Sequence, residues 1–227
     1  SADVDGVAKD LTIDFIRNAT RDQRPFYVHF HLHASHGTID PRPEQYNRTY
    51  PFATTCQLPR TAAWAAANPG GSGTPGEPCE FQAYWGNQHW ADTERIKPVV
   101  DEVDRLGLRS TTYVVFTTDN GPAASQEPTS GMALTSQGVA GVFRGKKASL
   151  YEGGQRVPFI ITGPGILRNH IDDTLSSNVD WLPTLASLAH IRVPHDHAFG
   201  LRGVDISPVL TGRQTHLRRT QPLFWRG

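Results

Sequence analysis

Three stretches of the chain hold side chains whose types and spacing can do chemistry. PFYVHFHLHASHG, residues 25–37, carries four histidines within eight residues, His29, His31, His33 and His36. An imidazole can move a proton near neutral pH or ligate a metal. His29, His31 and His33 alternate, so on a strand they share one face, where they are expected to pack or hydrogen-bond beside a sheet. In TTYVVFTTDNGP, residues 111–122, an apolar run ends in Asp119-Asn120-Gly121-Pro122. A carboxylate and an amide carbonyl side by side suit a hard cation such as Ca²⁺ or Mg²⁺, and Gly121 lets the backbone turn sharply behind them. In FRGKKASLYEGGQRVPFIITGPG, residues 143–165, a basic pair precedes Glu152-Gly153-Gly154. A lysine on a flexible turn near a cation binds an anionic group as a point charge, and the double glycine permits close backbone approach.

These groups need elements to position them. Residues 3–18 place Val4, Val7, Leu11, Phe15 and Ile16 near helical spacing, and FYVHFHL follows as a strand. Residues 34–87 read as a long irregular segment. ADTERIKPVVDEVDRLG is a helix with Ile96, Val99, Val103 and Leu106 on one stripe and Gly107 at the C′ position. Pro98 is either a defect in that helix or the first turn of its regular part. TTYVVFTT and RVPFIITGPG are strands of the buried type. DWLPTLASLAHI is a helix with Asp180 as N-cap and Pro183 in its first turn. DISPVLTG is a short helix and QPLFWRG the start of a strand. Strands separated by helices predict an α/β layered fold with a mostly parallel central sheet flanked by helices. Ligands of such sheets bind just beyond the carboxyl ends of strands, where Asp119 and Asn120 lie.

Lys and Arg number 22 against 22 Asp and Glu, spread along the chain, which removes the case for nucleic acid or an anionic membrane as partner. No apolar run reaches the roughly 18 residues of a membrane span. Cys56 and Cys79 flank a Gly/Pro-rich tract and lack CxxC spacing, so a disulfide-closed loop over 56–79 is expected, with a gain of about 3 kcal/mol from closure. Together with the sequons at Asn18 and Asn47 it places the protein in the secretory pathway, extracellular or lysosome-like. The start at Ser1 shows neither an initiator Met nor a signal-peptide pattern, so a removed or unresolved segment is expected before it.

FTTDNGP, then RGKKASLYEGGQRVPFI, then NVDWLPTLASLA and DISPVLTG, with PFYVHFHLHASH in front, resemble the sulfatase family of the alkaline-phosphatase-like superfold, and LYEGGQRVP is similar to secretory and lysosomal arylsulfatases. The resemblance covers most of the chain and implies that residues 1–227 are part of a single sulfatase catalytic domain, incomplete at both ends. It selects His36, eleven residues after Pro25, as the histidine that contacts the sulfate group. It implies Asp119 and Asn120 as ligands of a divalent cation, usually Ca²⁺, and Lys147, four residues before Tyr151, as the sulfate-binding lysine, with Lys146 exchanged for it by a slip of one residue. The implied activity is hydrolysis of sulfate monoesters of a small molecule or glycan.

The family's nucleophile is a formylglycine made in a C/S-x-P-x-R motif, which these 227 residues do not contain; Cys56 lies in CQLPR, with Pro one position late. The family's N-terminal Asp pair is absent as well. The nucleophile is therefore expected outside this chain, in a longer precursor or on an N-terminal partner chain of the same precursor; the alternative is a catalytically inactive secreted structural or binding protein on a sulfatase scaffold. HLHASH also resembles the HxHxDH zinc motif of metallo-β-lactamase-like hydrolases with Ser35 in place of Asp, His89, His170 and His190 being the further histidines available. A phosphodiesterase or phosphonate hydrolase of the same superfold would use similar positions. Trp64, Tyr84, Trp85 and Trp90 could line a substrate mouth or pack the irregular segment.

Overall fold

The computed structural model describes residues 3–34, 36, 80–123, 138, 140–192, 203–219 and 222–224. The expected disulfide between Cys56 and Cys79, Asn47 and Trp64 lie outside the described residues. The chain divides into two compact units, Ser1–Leu108 with Thr117–Pro158, and Arg109–Phe116 with Phe159–Gly227.

The first unit is helical. Helix α1, Val4–Arg21, starts at Asp3, whose side chain accepts the Gly6 N–H at 2.9 Å. It runs three residues past the expected end. The stripe expected to drive its packing is not the one it buries. Val4, Val7, Leu11 and Phe15 are exposed, while Asp5, Gly6, Thr12, Ile16 and Ala19 are buried. Both sets have helical spacing; polar bonds decide for the second. Arg17 pairs with Glu102, and Asp5 accepts two backbone N–H groups from residues 33 and 34.

Helix α2, Glu80–Ala91, lies where irregular chain was expected through residue 87. Over 84–91, where its burial is described, the buried residues are Gly86, Asn87, Trp90 and Ala91, two of them without an apolar side chain, which weakens the 3.6-residue signal. A π-helical turn, Asp92–Ile96, joins it to α3, Lys97–Arg105. Pro98 sits in the first turn of α3, where its missing N–H costs nothing. Gly107 ends α3 with φ +70°, in the left-handed region that glycine tolerates.

Residues 26–32, expected as a strand, and their neighbours 25, 33 and 34 make no ladder hydrogen bonds among the described residues. Their exposure nevertheless alternates: Phe26, Val28, Phe30, Leu32 and Ala34 are half-buried, and Tyr27, His29, His31 and His33 are exposed. Leu32 and Ala34 pack against Trp90 and Ala91 of α2, and the Arg95 guanidinium stacks 4.0 Å from the Trp90 ring centre.

Strands β1, Val114–Thr117, and β2, Phe159–Thr162, pair in a two-stranded sheet. The pair is antiparallel, not the mostly parallel sheet expected. In the second unit, Val115, Phe159 and Ile161 face Trp181, Thr184, Leu185 and Ile206 around a small apolar gap. Helix α5, Trp181–Leu188, follows a 3₁₀ turn at Asn178–Asp180; Asp180 stands at its N-cap position as expected but makes no side-chain cap bond to it, and Ser177 caps the 3₁₀ turn. Asp180 is fully buried and does other work, accepting N–H groups from Ser177 and Val204 at 2.8 Å and both arms of the Arg219 guanidinium. The short helix expected at DISPVLTG is present as α6, Ser207–Leu210. Residues 222–224, the described part of the expected last strand, are not in a ladder. The four-residue turn at Glu152–Gln155 is helix α4.

Candidate active site

The Asp119–Pro122 turn and the 144–155 loop meet through their backbones. The Gly121 N–H donates to the Gly154 carbonyl at 2.9 Å, and the Lys147 N–H donates to the Pro122 carbonyl at 2.8 Å. The loop is folded on itself by the Gly153 N–H to the Arg144 carbonyl at 2.8 Å and the Ser149 N–H to the Lys146 carbonyl at 2.9 Å. The three glycines are there because backbone meets backbone. A Cβ on Gly121 would overlap the Gly153 carbonyl, one on Gly153 would overlap the Gly145 carbonyl, and one on Gly154 would overlap the Lys146 carbonyl. Ala148, directly after Lys147, has φ +68°, a conformation that costs a residue with a side chain about 1 kcal/mol or more. The loop thus holds the two lysines in a tight, strained turn beside the DNGP turn.

Among the described residues the side chains offered by this arrangement make few bonds of their own. Among the described residues neither the Lys146 nor the Lys147 ammonium pairs with another side chain, and both residues are half-buried. Asn120 donates its amide N–H₂ to the Gly121 carbonyl at 2.8 Å, and among the described residues its Oδ1 accepts no hydrogen bond. Asp119 is exposed; its Oδ1 accepts the Asn120 N–H at 2.9 Å, and among the described residues its Oδ2 accepts no hydrogen bond. Two hard oxygens on adjacent residues fit a Ca²⁺ or Mg²⁺ ion in kind, though a Ca²⁺ shell takes about 6–8. Among the described residues no three His, Cys, Asp or Glu side chains gather as metal ligands, the four histidines of 29–36 included. Around the loop, the Arg144 guanidinium stacks on Tyr151 at 3.9 Å and that of Arg156 on Phe143 at 4.6 Å. A Cβ on Gly138 would lie 2.7 Å from the Pro122 ring and 2.8 Å from the Tyr84 hydroxyl, so α2 brings Tyr84 up to the DNGP turn.

His36 is held separately. Its N–H donates to the His33 carbonyl at 3.1 Å, and the two rings lie 5.6 Å apart. Among the described residues no hydrogen bond or ring contact joins it to the 119–122 turn. His29 and His31 stack with ring centres 3.8 Å apart. The two rings are tilted by 42°; desolvation by burial first and repulsion from His31 second lower the His29 pKa.

The sulfatase family model matches residues 4–191. The chain belongs to the sulfatase family. Human arylsulfatase A is 29% identical over 200 residues, covering 88% of this chain and 31% of that protein. Steryl-sulfatase of Rattus norvegicus is 34% identical over 120 residues, covering 52% of this chain and 20% of its own length. The sulfatase chain therefore spans a third or less of these curated relatives. Among solved structures, that of Ps i-CgsB in complex with k-i-k-neocarrahexaose superimposes with a TM-score of 0.67 at 18% identity, over 93% of this chain and 39% of that one. That likeness extends to the fold.

The Asp5 clamp on residues 33 and 34 and the cross-bonds between the DNGP turn and the EGG loop had no signal in the sequence beyond the glycines themselves. Asp5 looks like one more acidic residue in the first turn of a helix.

Proposed function

We propose that this chain supplies the sulfate-binding and cation-binding wall of a sulfate monoester hydrolase of the arylsulfatase kind. The observation that supports the reading most is the meeting of the DNGP turn and the GKKASLYEGG loop through their backbones, which brings together the segments that carry Asp119, Asn120, Lys146 and Lys147. Lys147, with Lys146 next to it, holds a sulfuryl oxygen as a point charge. Cleavage of a sulfate monoester builds negative charge on the sulfuryl and leaving oxygens, and fixed positive groups stabilise it most in a site that excludes water. His36 donates a proton to the leaving oxygen or holds the group in line. Asp119 Oδ2 and Asn120 Oδ1 are the oxygens that would hold Ca²⁺, with Mg²⁺ as the second candidate, and the ion would add Lewis-acid charge at the sulfuryl group. The nucleophile, a formylglycine in this family, is expected from a C/S-x-P-x-R segment outside these 227 residues. The whole is one catalytic domain; its substrate is a sulfated small molecule or glycan, and the secretory pathway is its compartment, as Cys56, Cys79 and the sequons suggest.

A second reading, a secreted binding or structural protein on this scaffold, rests on the lack of any C/S-x-P-x-R motif here. Peptide mapping of the natural protein by mass spectrometry separates the two. A formylglycine peptide, on the same polypeptide or on a co-purifying chain, supports the hydrolase. Its absence from a fully covered map removes that reading.

A further inference from the structure

We propose that Asp5 is a positioning residue for His36. The proposal rests on the hydrolase reading above and deepens it. Asp5 lies in the first turn of α1, is 6% exposed, and turns its carboxylate away from its own helix toward the 33–36 turn. Oδ1 accepts the His33 N–H at 2.7 Å and Oδ2 the Ala34 N–H at 2.8 Å. These are charge-assisted bonds from two consecutive backbone amides to one carboxylate, an arrangement that fixes orientation as well as position. The next link is the His36 N–H on the His33 carbonyl at 3.1 Å. A single carboxylate therefore sets the peptide plane on which His36 is built.

The geometry separates this role from simple helix support. Asp3 already caps α1 through the Gly6 N–H, and the α1–α3 contact is made by Arg17 and Glu102. Asp5 makes neither of those bonds. Its two amide partners lie 28 and 29 residues away, on the segment that ends at His36. The apolar side of the same segment, Leu32 and Ala34, rests on Trp90 and Ala91, so it is held from two directions. A histidine that must reach one oxygen of a substrate loses most of its effect when displaced by about 1 Å.

The test is a double-mutant cycle between Asp5→Asn and His36→Ala in the natural protein, read as kcat and KM on an aryl sulfate. Asp5→Asn keeps the shape but presents an amide to an amide. The expected result is a loss in kcat of about 10- to 100-fold with KM within about threefold, Asp5→Glu recovering part of it, and no further loss from Asp5→Asn once His36 is alanine. Equal losses from Asp5→Asn with and without His36 would mean Asp5 serves the fold alone and would overturn the proposal. Undiminished turnover in His36→Ala would take His36 out of the machinery and the Asp5 role with it, whereas no turnover in the unmutated protein would bring down the hydrolase reading itself. If Asp5→Asn does not fold, Ala34→Pro removes one of the two donors with the carboxylate intact, and the same cycle reads the same coupling.

Discussion

Replacing Glu102 by Gln should loosen α1 at neutral pH and leave it unaffected in strong acid. Glu102, on α3, is buried and is bound by Arg105 Nε at 2.8 Å and Arg17 Nε at 2.7 Å. The Arg105 guanidinium, then that of Arg17, hold its carboxyl at about 2, against an ordinary 4.5. At about 1.4 kcal/mol per unit the difference corresponds to about 3 kcal/mol. The arginine side chains are 49% and 60% exposed, so solvent screening reduces it to about 2–3 kcal/mol. The folded-state pKa is depressed, so this contribution is complete above pH 4.5 and is lost as the pH falls toward 2. Amide hydrogen exchange resolved by mass spectrometry reads it directly. At pH 7 protection across Val4–Arg21 should drop roughly 30- to 150-fold in Glu102→Gln. In the wild type, protection corrected for intrinsic exchange should fall between pH 4.5 and 2 and converge on that of the variant. Equal protection of the two proteins at pH 7, or a gap that persists at pH 2, would refute the reasoning.

Asp180 and Arg219 form a buried pair, with Asp180 fully enclosed, so Arg219→Ala should cost about 3–5 kcal/mol and lower the melting temperature of the second unit by several degrees, measured by calorimetry. Gly153→Ala drives a methyl into the Gly145 carbonyl and should part the EGG loop from the DNGP turn; sulfate ester turnover should fall at least about 100-fold, with limited proteolysis opening within residues 141–155. Lys147→Ala should lower kcat/KM about 100-fold and Lys146→Ala less than about tenfold; the reverse order would exchange their roles.

Much of the site was legible because it is written in contiguous residues. DNGP and GKKASLYEGG are short strings whose glycines already announce a close backbone approach, and the structure makes that crossing with two backbone hydrogen bonds. Gly107 and Pro98 likewise mark the two ends of α3 by local rules of φ and missing N–H. What was not legible is long-range. Val4, Val7, Leu11 and Phe15 form as good a helical stripe as the buried set, and only the bonds of Asp5 and Arg17 to distant partners say which face turns inward. Helix α2 escaped because Gly86 and Asn87 stand where an apolar periodicity would have shown it. The antiparallel pairing of β1 and β2 had no signal, since strand composition carries no direction. Asp180 reads as a helix cap from its place before WLPT, but its partners Val204 and Arg219 are 24 and 39 residues away.

The most direct measurement is aryl sulfate hydrolysis by the natural protein across a Ca²⁺ titration, in the wild type and in Asp119→Ala and Asn120→Ala. The account predicts turnover in the wild type, and in both variants a higher Ca²⁺ requirement together with a loss of at least about 100-fold at saturating metal. Wild-type turnover that persists unchanged in both variants, with the same Ca²⁺ dependence, would contradict it.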